Sequence, residues 1–196
     1  NKDKKKLPST VRNFRGIDIE FCENGLHSYK KIIPLLKKYR NSYVITLDDD
    51  VIYFKDTIEK LVFNSKKYPN DVIANCIHKI KLNKNHPTSY KLWSRNYRKQ
   101  TKLAFFTGGA GVLYPPNCFY KDVLKKNHFK SLAPFADDIW LNWMAKLNKT
   151  NIRFSKIYKN YEYIKIIKGG LYQKNFKNSY NDVQIKNMIK RYGFPF

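Results

Sequence analysis

The sequence predicts an α/β fold organised as a single domain over residues 1–196. Three observations carry this. Short β-prone runs alternate with amphipathic helical stretches through the first half of the chain. The 196 residues are 42% hydrophobic and 16% aromatic, which is enough for one sizeable core and excludes disorder of the whole chain. The scarce acids gather where predicted elements end, and that is where α/β proteins build their sites.

Residues 1–10 form a basic lead-in (NKDKKKLPST). Ile17–Phe21 alternates apolar and acidic residues, which predicts a strand. Ser28–Tyr39 carries Ile32, Ile33, Leu35, Leu36 and Tyr39 at helical spacing, with Pro34 either kinking that helix or starting it. Tyr43–Leu47 reads as a buried strand that ends at three consecutive aspartates. Asp56 and Glu59 resemble a capping box ahead of a helix striped by Ile58, Leu61 and Val62. Strands follow at Asp71–Ile77 and Leu103–Thr107, and then the glycine-rich Gly108–Gly111 and Val112–Pro116. Asp137 or Asp138 caps a helix reaching about Leu147, with Trp140, Met144 and Leu147 on one stripe. Asn151–Phe154 and Tyr161–Ile167 are strand candidates. Residues 170–196 form a basic tail whose helix, from Asp182 to Tyr192, stops at Gly193.

Lys and Arg number 39 against 15 Asp and Glu, a net charge of +24. Such a field attracts nucleic acid, anionic lipid or nucleotide phosphate. Only seven of the 39 are Arg, however, and the lysines are scattered, as AT-rich coding DNA would also produce. No apolar run is long enough to span a bilayer, and no apolar leader follows the basic start. Three widely spaced cysteines (Cys22, Cys76, Cys118) form neither a disulfide framework nor a CxxC zinc site, which points to a reducing compartment.

Five of the fifteen acids fall in two clusters, Asp48-Asp49-Asp50 and Asp137-Asp138. In extended chain Asp48 and Asp50 share one side and Asp49 takes the other. Adjacent carboxylates repel unless a cation neutralises them, and an oxygen-only set suits Mg²⁺ or Mn²⁺. An exposed acidic turn is the plainer alternative. Of the Asp137-Asp138 pair, one can cap the helix while the other points into a cleft. There, apolar neighbours would raise its pKa toward that of a general base. Gly108–Gly111 permits close backbone approach, but it is neither GxGxxG nor a P-loop.

Three motifs in order, VITLDDDVIY, FFTGGAGVLYPP and FADDIWLNWMA, make residues 11–160 resemble a bacterial glycosyltransferase of the GT-A fold, close to family 2. The resemblance is to the transferases of capsule and lipopolysaccharide synthesis that carry YPP and ADDIW segments. It implies a GT-A-like mixed sheet flanked by helices. It also implies transfer of a sugar, with inversion, from a nucleotide-diphosphate donor such as a UDP-sugar to a glycan or lipid-linked acceptor. On this resemblance Asp48 and Asp50 form the DxD pair that holds Mn²⁺ or Mg²⁺, and Asp49 reaches the ribose or sugar. Gly108, Gly109 and Gly111 line the donor site. Asp138, with Asp137 beside it, supplies the base. Tyr90, Trp93 and Trp140 are candidate acceptor contacts, with a place in the core the alternative for these aromatics. A cytoplasmic location, with peripheral contact to an anionic membrane, would follow. Family members begin with a strand–helix unit for the nucleobase; only sixteen residues precede Ile17, so that unit is missing or lies upstream.

Two other classes compete. A Mg²⁺-dependent phosphoryl transferase or nuclease also clusters aspartates, and the charge would suit a nucleic-acid substrate; such sites usually add a His or Lys near the cluster, and His27, His78, His86 and His128 adjoin neither cluster in sequence. A non-catalytic basic binding module explains the charge but leaves both acid clusters as coincidence.

Overall fold

The computed structural model describes residues 6–156, 161–164, 175 and 179–196. The chain opens with a short helix, α1 (Ser9–Arg12), and then runs without regular structure to a 3-10 turn at His27–Lys31. Ile17–Phe21, expected as a strand, is not one; Ile17 and Phe21 are exposed, and no strand among the described residues pairs with them. Alternation alone does not make a strand without a ladder to join. The helix expected over Ser28–Tyr39 is broken at Ile32, whose φ of −129° leaves the helical region. α2 (Ile33–Lys38) starts there with Pro34 in its first turn, where the missing N–H costs nothing.

The main sheet has four strands in the order β1-β8-β3-β9. These are β1 (Val44–Thr46), β3 (Val72–Ala74), β8 (Val112–Tyr114) and β9 (Ile152–Phe154). β8 runs antiparallel to both neighbours, whereas β3 and β9 are parallel, so the sheet is mixed. Each of these strands is short and rich in Val, Ile and Phe, and the central pair is buried on both faces. β2 (Val51–Tyr53) pairs with β10 (Tyr161–Tyr163), and β4 (Ile77–Lys79) with β7 (Ala104–Phe106). β5 (Leu82–Asn83) and β6 (His86–Pro87) form a small hairpin. The expected strand over Asp71–Ile77 is therefore two, divided at Asn75-Cys76, and the part of the Tyr161–Ile167 strand beyond Ile164 lies outside the described residues.

Three further helices pack around these strands: α3 (Thr57–Lys67), α4 (Lys126–Leu132) and α5 (Asp137–Leu147). The capping box at α3 does not form, because Asp56 pairs with Lys60 instead of bonding the helix amides. α5 is buried continuously from Ile139 to Ala145, a wider contact than the single stripe expected. A helix apolar on every side belongs inside the protein. α6 (Tyr180–Tyr192) ends at Gly193, whose φ of +73° suits glycine. Far from trailing as a tail, α6 buries Ile185 and Met188 in the same core cluster as Trp140 and Trp143.

One buried amide fixes how α5 meets the sheet. Asn142 is fully buried; its Oδ1 accepts the Phe106 N–H at 2.9 Å and its Nδ2 donates to the Phe106 carbonyl at 2.9 Å. An asparagine side chain offers both a donor and an acceptor, so it can satisfy a strand-end residue completely. This sets the register of α5 against β7 and, one turn earlier, the position of Asp138.

Asn142→Ala leaves both Phe106 backbone groups buried without partners. We expect it to lower the unfolding free energy by about 2–4 kcal/mol. Urea unfolding of the purified variant beside the parent checks this.

Candidate active site

The two acid clusters meet in one cleft. β1 delivers the chain to a turn at Asp48–Asp50, and β2 leads away from it. β7 ends at Phe106, and Gly108–Ala110 then forms a single 3-10 turn before β8. α5 begins at Asp137. Asp48, Asp50, Gly109, Asp137 and Asp138 all line a cleft of about 270 Å³, with Ser28, Tyr90, Tyr163 and Asn181 among the other walls. Asp49 points elsewhere and is exposed. Asp49 thus parts from Asp48 and Asp50 as the sequence suggests, though in a turn and not in extended chain.

Tyr53 ties the acidic turn to the glycine turn. Its hydroxyl accepts the Asp48 N–H at 2.8 Å and donates to the Gly109 carbonyl at 2.7 Å. Gly108 donates its N–H to Asp138 Oδ1 at 2.9 Å. A methyl on Gly108 would sit 2.7 Å from Lys31 Nζ and 3.0 Å from Asp138 Oδ1, so a side chain here would push the ammonium out of its place. Gly111 does not line the cleft as expected. With φ +95° it completes the turn, and a Cβ there would face Leu47 and Asn75.

Neither aspartate of the pair caps α5, contrary to expectation. Ala136 occupies the N-cap, and Asp137 and Asp138 are the first two helical residues. The helix N-terminus still favours their charge. Burial opposes it more strongly. Burial, together with the charge of Asp137, pushes the Asp138 carboxyl up to about 7, against the opposing pull of Lys31 and the Gly108 N–H.

Lys31 is the residue that sequence reasoning missed. Its Nζ donates to Asp48 Oδ1 at 2.7 Å and lies 3.3 Å from Asp137 Oδ2, so one ammonium bridges both clusters. The Asp137 contact is an ion pair without hydrogen-bond geometry. Burial alone would lower the Lys31 pKa, but the charges of Asp137, Asp138 and Asp48 overcome that and hold it well above the ordinary lysine value. With 32 lysines in the chain, composition could not single it out. The available cue was its position beside Tyr29, Ile32 and Ile33, which must be buried.

Two expected acceptor contacts are core residues. Trp140 is fully buried and donates its Nε1–H to the Val123 carbonyl; Trp93, 3% exposed, donates to the Thr88 carbonyl. Indoles already bonded and packed in the core present no face to a ligand. Tyr90 is buried too, yet its ring reaches the cleft wall beside Asp138.

α6 props the far wall. Asp182 accepts the Ser89 hydroxyl and the Tyr90 N–H, both at 2.7 Å, and the fully buried Gln184 accepts the Phe135 N–H at 3.0 Å. Asn181, 8% exposed, also lines the cleft, and its buried Oδ1 has no hydrogen-bond partner among the described residues.

No group of three or more metal-capable side chains occurs among the described residues. Asp48 and Asp50 nevertheless fit a hard divalent ion of the kind that takes one or two carboxylates and completes its shell with phosphate oxygens and water. No helix among the described residues is long and apolar enough to cross a membrane.

A family model described as "Glycosyl transferase family 2" matches residues 14–128. That span includes Lys31, the acidic turn, Tyr53 and the glycine turn, and it stops short of Asp137. No curated protein matches the chain.

Tyr53→Phe removes the link between the two turns. We expect the Asp48 amide to exchange its hydrogen roughly 5-fold faster, the loss of about one hydrogen bond, while the β1 amides change little. Amide exchange followed by NMR or mass spectrometry reads this directly.

Proposed function

Because the chain belongs to glycosyl transferase family 2, enzymes of the GT-A fold that transfer sugars from activated donors, we propose that this cleft moves a sugar from a nucleotide-diphosphate donor to an acceptor hydroxyl. The reading is of an inverting enzyme using a UDP-sugar, with a glycan or lipid-linked acceptor of surface polysaccharide synthesis, of the capsule or lipopolysaccharide kind. The observation that carries it is the convergence of Asp48 and Asp50 with Asp137 and Asp138 on one cleft.

Asp48 and Asp50 would hold Mn²⁺ or Mg²⁺. Bound there, the ion supplies positive charge to the diphosphate as it leaves. Gly109, without a side chain, lets the donor approach the backbone beside Asp48. Asp138 accepts the acceptor's hydroxyl proton as that oxygen attacks the anomeric carbon. The bond from this carbon to the phosphate oxygen breaks, and the nucleoside diphosphate departs with the electron pair. A carboxyl pushed up to about 7 is a matched general base at neutral pH. Asp137 Oδ2 lies 3.3 Å from the Lys31 ammonium and helps to fix the lysine. The net charge of +24 supports peripheral contact with an anionic membrane at its cytoplasmic face, where lipid-linked acceptors would be met.

The nuclease alternative would find a lysine beside the acids, Lys31, but no histidine: none of His27, His78, His86 and His128 is among the residues that line the cleft.

Three outcomes test the proposal. With UDP-glucose or UDP-galactose, Mn²⁺ and a hydroxyl acceptor, Asp138→Asn should lower turnover 10²–10⁴-fold, the usual contribution of a general base, with donor affinity little changed. Near-normal turnover in both Asp138→Asn and Asp137→Asn removes the base assignment. The working form of Asp138 is the carboxylate. kcat/KM should therefore fall as pH drops through about 7 and level off above it. For the metal, calorimetry with UDP and Mn²⁺ should show binding to the parent and none to Asp50→Asn; equal affinity would exclude Asp50 as a ligand.

A further inference from the structure

Lys31 stands in the cleft as a cation before any ligand arrives. Its side chain is 18% exposed and its ammonium touches one carboxylate of each cluster. Gly108 leaves the space it fills. Asp48 and Asp137 are 89 residues apart in sequence, on a β-turn and a helix start, so this lysine is a direct electrostatic tie between two separate elements.

The same contact sets up a competition. The Asp48 carboxylate that the divalent ion would use already carries the ammonium on Oδ1 at 2.7 Å. An ammonium and a divalent ion drawn to one carboxylate repel each other strongly in a half-buried site. An entering diphosphate changes the balance, because it brings negative charge to both cations. Lysine suits such an exchange: its ammonium is a point charge on a flexible stem and can swing without breaking a planar fork.

We propose that Lys31 is the resident counter-cation of the cleft. It holds Asp48 and the Asp137-Asp138 pair together in the empty protein, and it yields Asp48 to the divalent ion that enters with the diphosphate. The inference rests on the sugar-transfer reading of the cleft and adds an order to it: metal loads with the donor and not before. Lys31 is here a positioning residue that acts through Asp48 and Asp137.

The test uses the whole chain and two probes, MnCl₂ alone and MnCl₂ with UDP, on the parent and on Lys31→Met. In calorimetry the parent should bind Mn²⁺ alone weakly and bind it with UDP much more tightly. Lys31→Met should bind Mn²⁺ alone at least roughly tenfold more tightly than the parent. Without metal its Tm should fall below that of the parent, and Mn²⁺ should restore it, because the carboxylates then regain a cation. Should Lys31→Met be too unstable to purify without metal, the Lys31→Met/Asp48→Asn double variant should recover the lost Tm by removing the stranded charge. Unchanged Mn²⁺ affinity in Lys31→Met overturns the proposal. So does a Tm deficit that neither Mn²⁺ nor Asp48→Asn relieves, since the lysine would then serve packing alone. If Lys31→Met gains Mn²⁺ affinity while UDP adds nothing in either protein, the counter-cation role stands and the donor reading fails.

Discussion

Four carboxylates confined to one cleft are the constraint around which this structure is built. Two unit charges about 4 Å apart interact by roughly 4 kcal/mol at an effective dielectric near 20. Stacking Asp48, Asp50, Asp137 and Asp138 without relief would therefore consume a large part of a typical domain's stability. The fold relieves the strain locally. Lys31 bridges two of the four, the Gly108 N–H serves a third, and burial leaves Asp138 ready to take a proton. Each device depends on another. Lys31 fits because Gly108 has no side chain, and Asp138 meets Gly108 because Asn142 has fixed α5 on Phe106. The site is an electrostatic balance held by backbone registration.

That registration reaches beyond the span that marks the family. The matched residues 14–128 contain the acidic turn and the glycine turn, whereas the acid pair and its supports follow later. α6 holds the loop before α5 through Gln184 and Phe135, and holds the turn at Tyr90 through Asp182. Its burial in the core through Ile185 and Met188 makes those bonds rigid. A helix that reads in sequence as a basic amphipathic tail therefore shapes the wall opposite the acidic turn. Its apolar face was visible in the sequence. The polar side chains that reach back to the site were not, because Gln184 and Asp182 look like ordinary surface residues of a solvated helix.

The same division runs through the rest of the chain. β1, β7, β8 and β9 could be read because β-branched and aromatic residues are concentrated there and short turns bound them. The acid clusters could be read because carboxylates are rare in so basic a chain. Ile17–Phe21 was misread because its pattern of side chains is right but no strand among the described residues pairs with it; pairing is a tertiary fact. The caps were misread for a related reason. Asp56 found a lysine one turn on, and Asp137 found one more than a hundred residues back, and an ion pair with ammonium competes well with a helix amide. For Trp93 and Trp140 the core alternative is the one realised, as large aromatics serve the core first. Lys31 and Tyr53 lay hidden for opposite reasons, the first among too many lysines and the second as one more aromatic at a strand end.

The net charge of +24 and the acidic cleft then belong to one argument. At physiological salt, fields from exposed lysines decay over about 8 Å, so the surface draws phosphate-bearing molecules inward from short range. Inside the cleft the sign reverses, and bare carboxylates would repel the diphosphate that the surface attracted. Only a cation at the boundary reconciles the two. Lys31 occupies that boundary from within, beside the two aspartates suited to a divalent ion. On the sugar-transfer reading, a phosphate entering with its own metal would meet a site already arranged for positive charge. Among the described residues that line the cleft, Lys31 and Arg95 are the cations set against the four aspartates, and selection would fall to that balance.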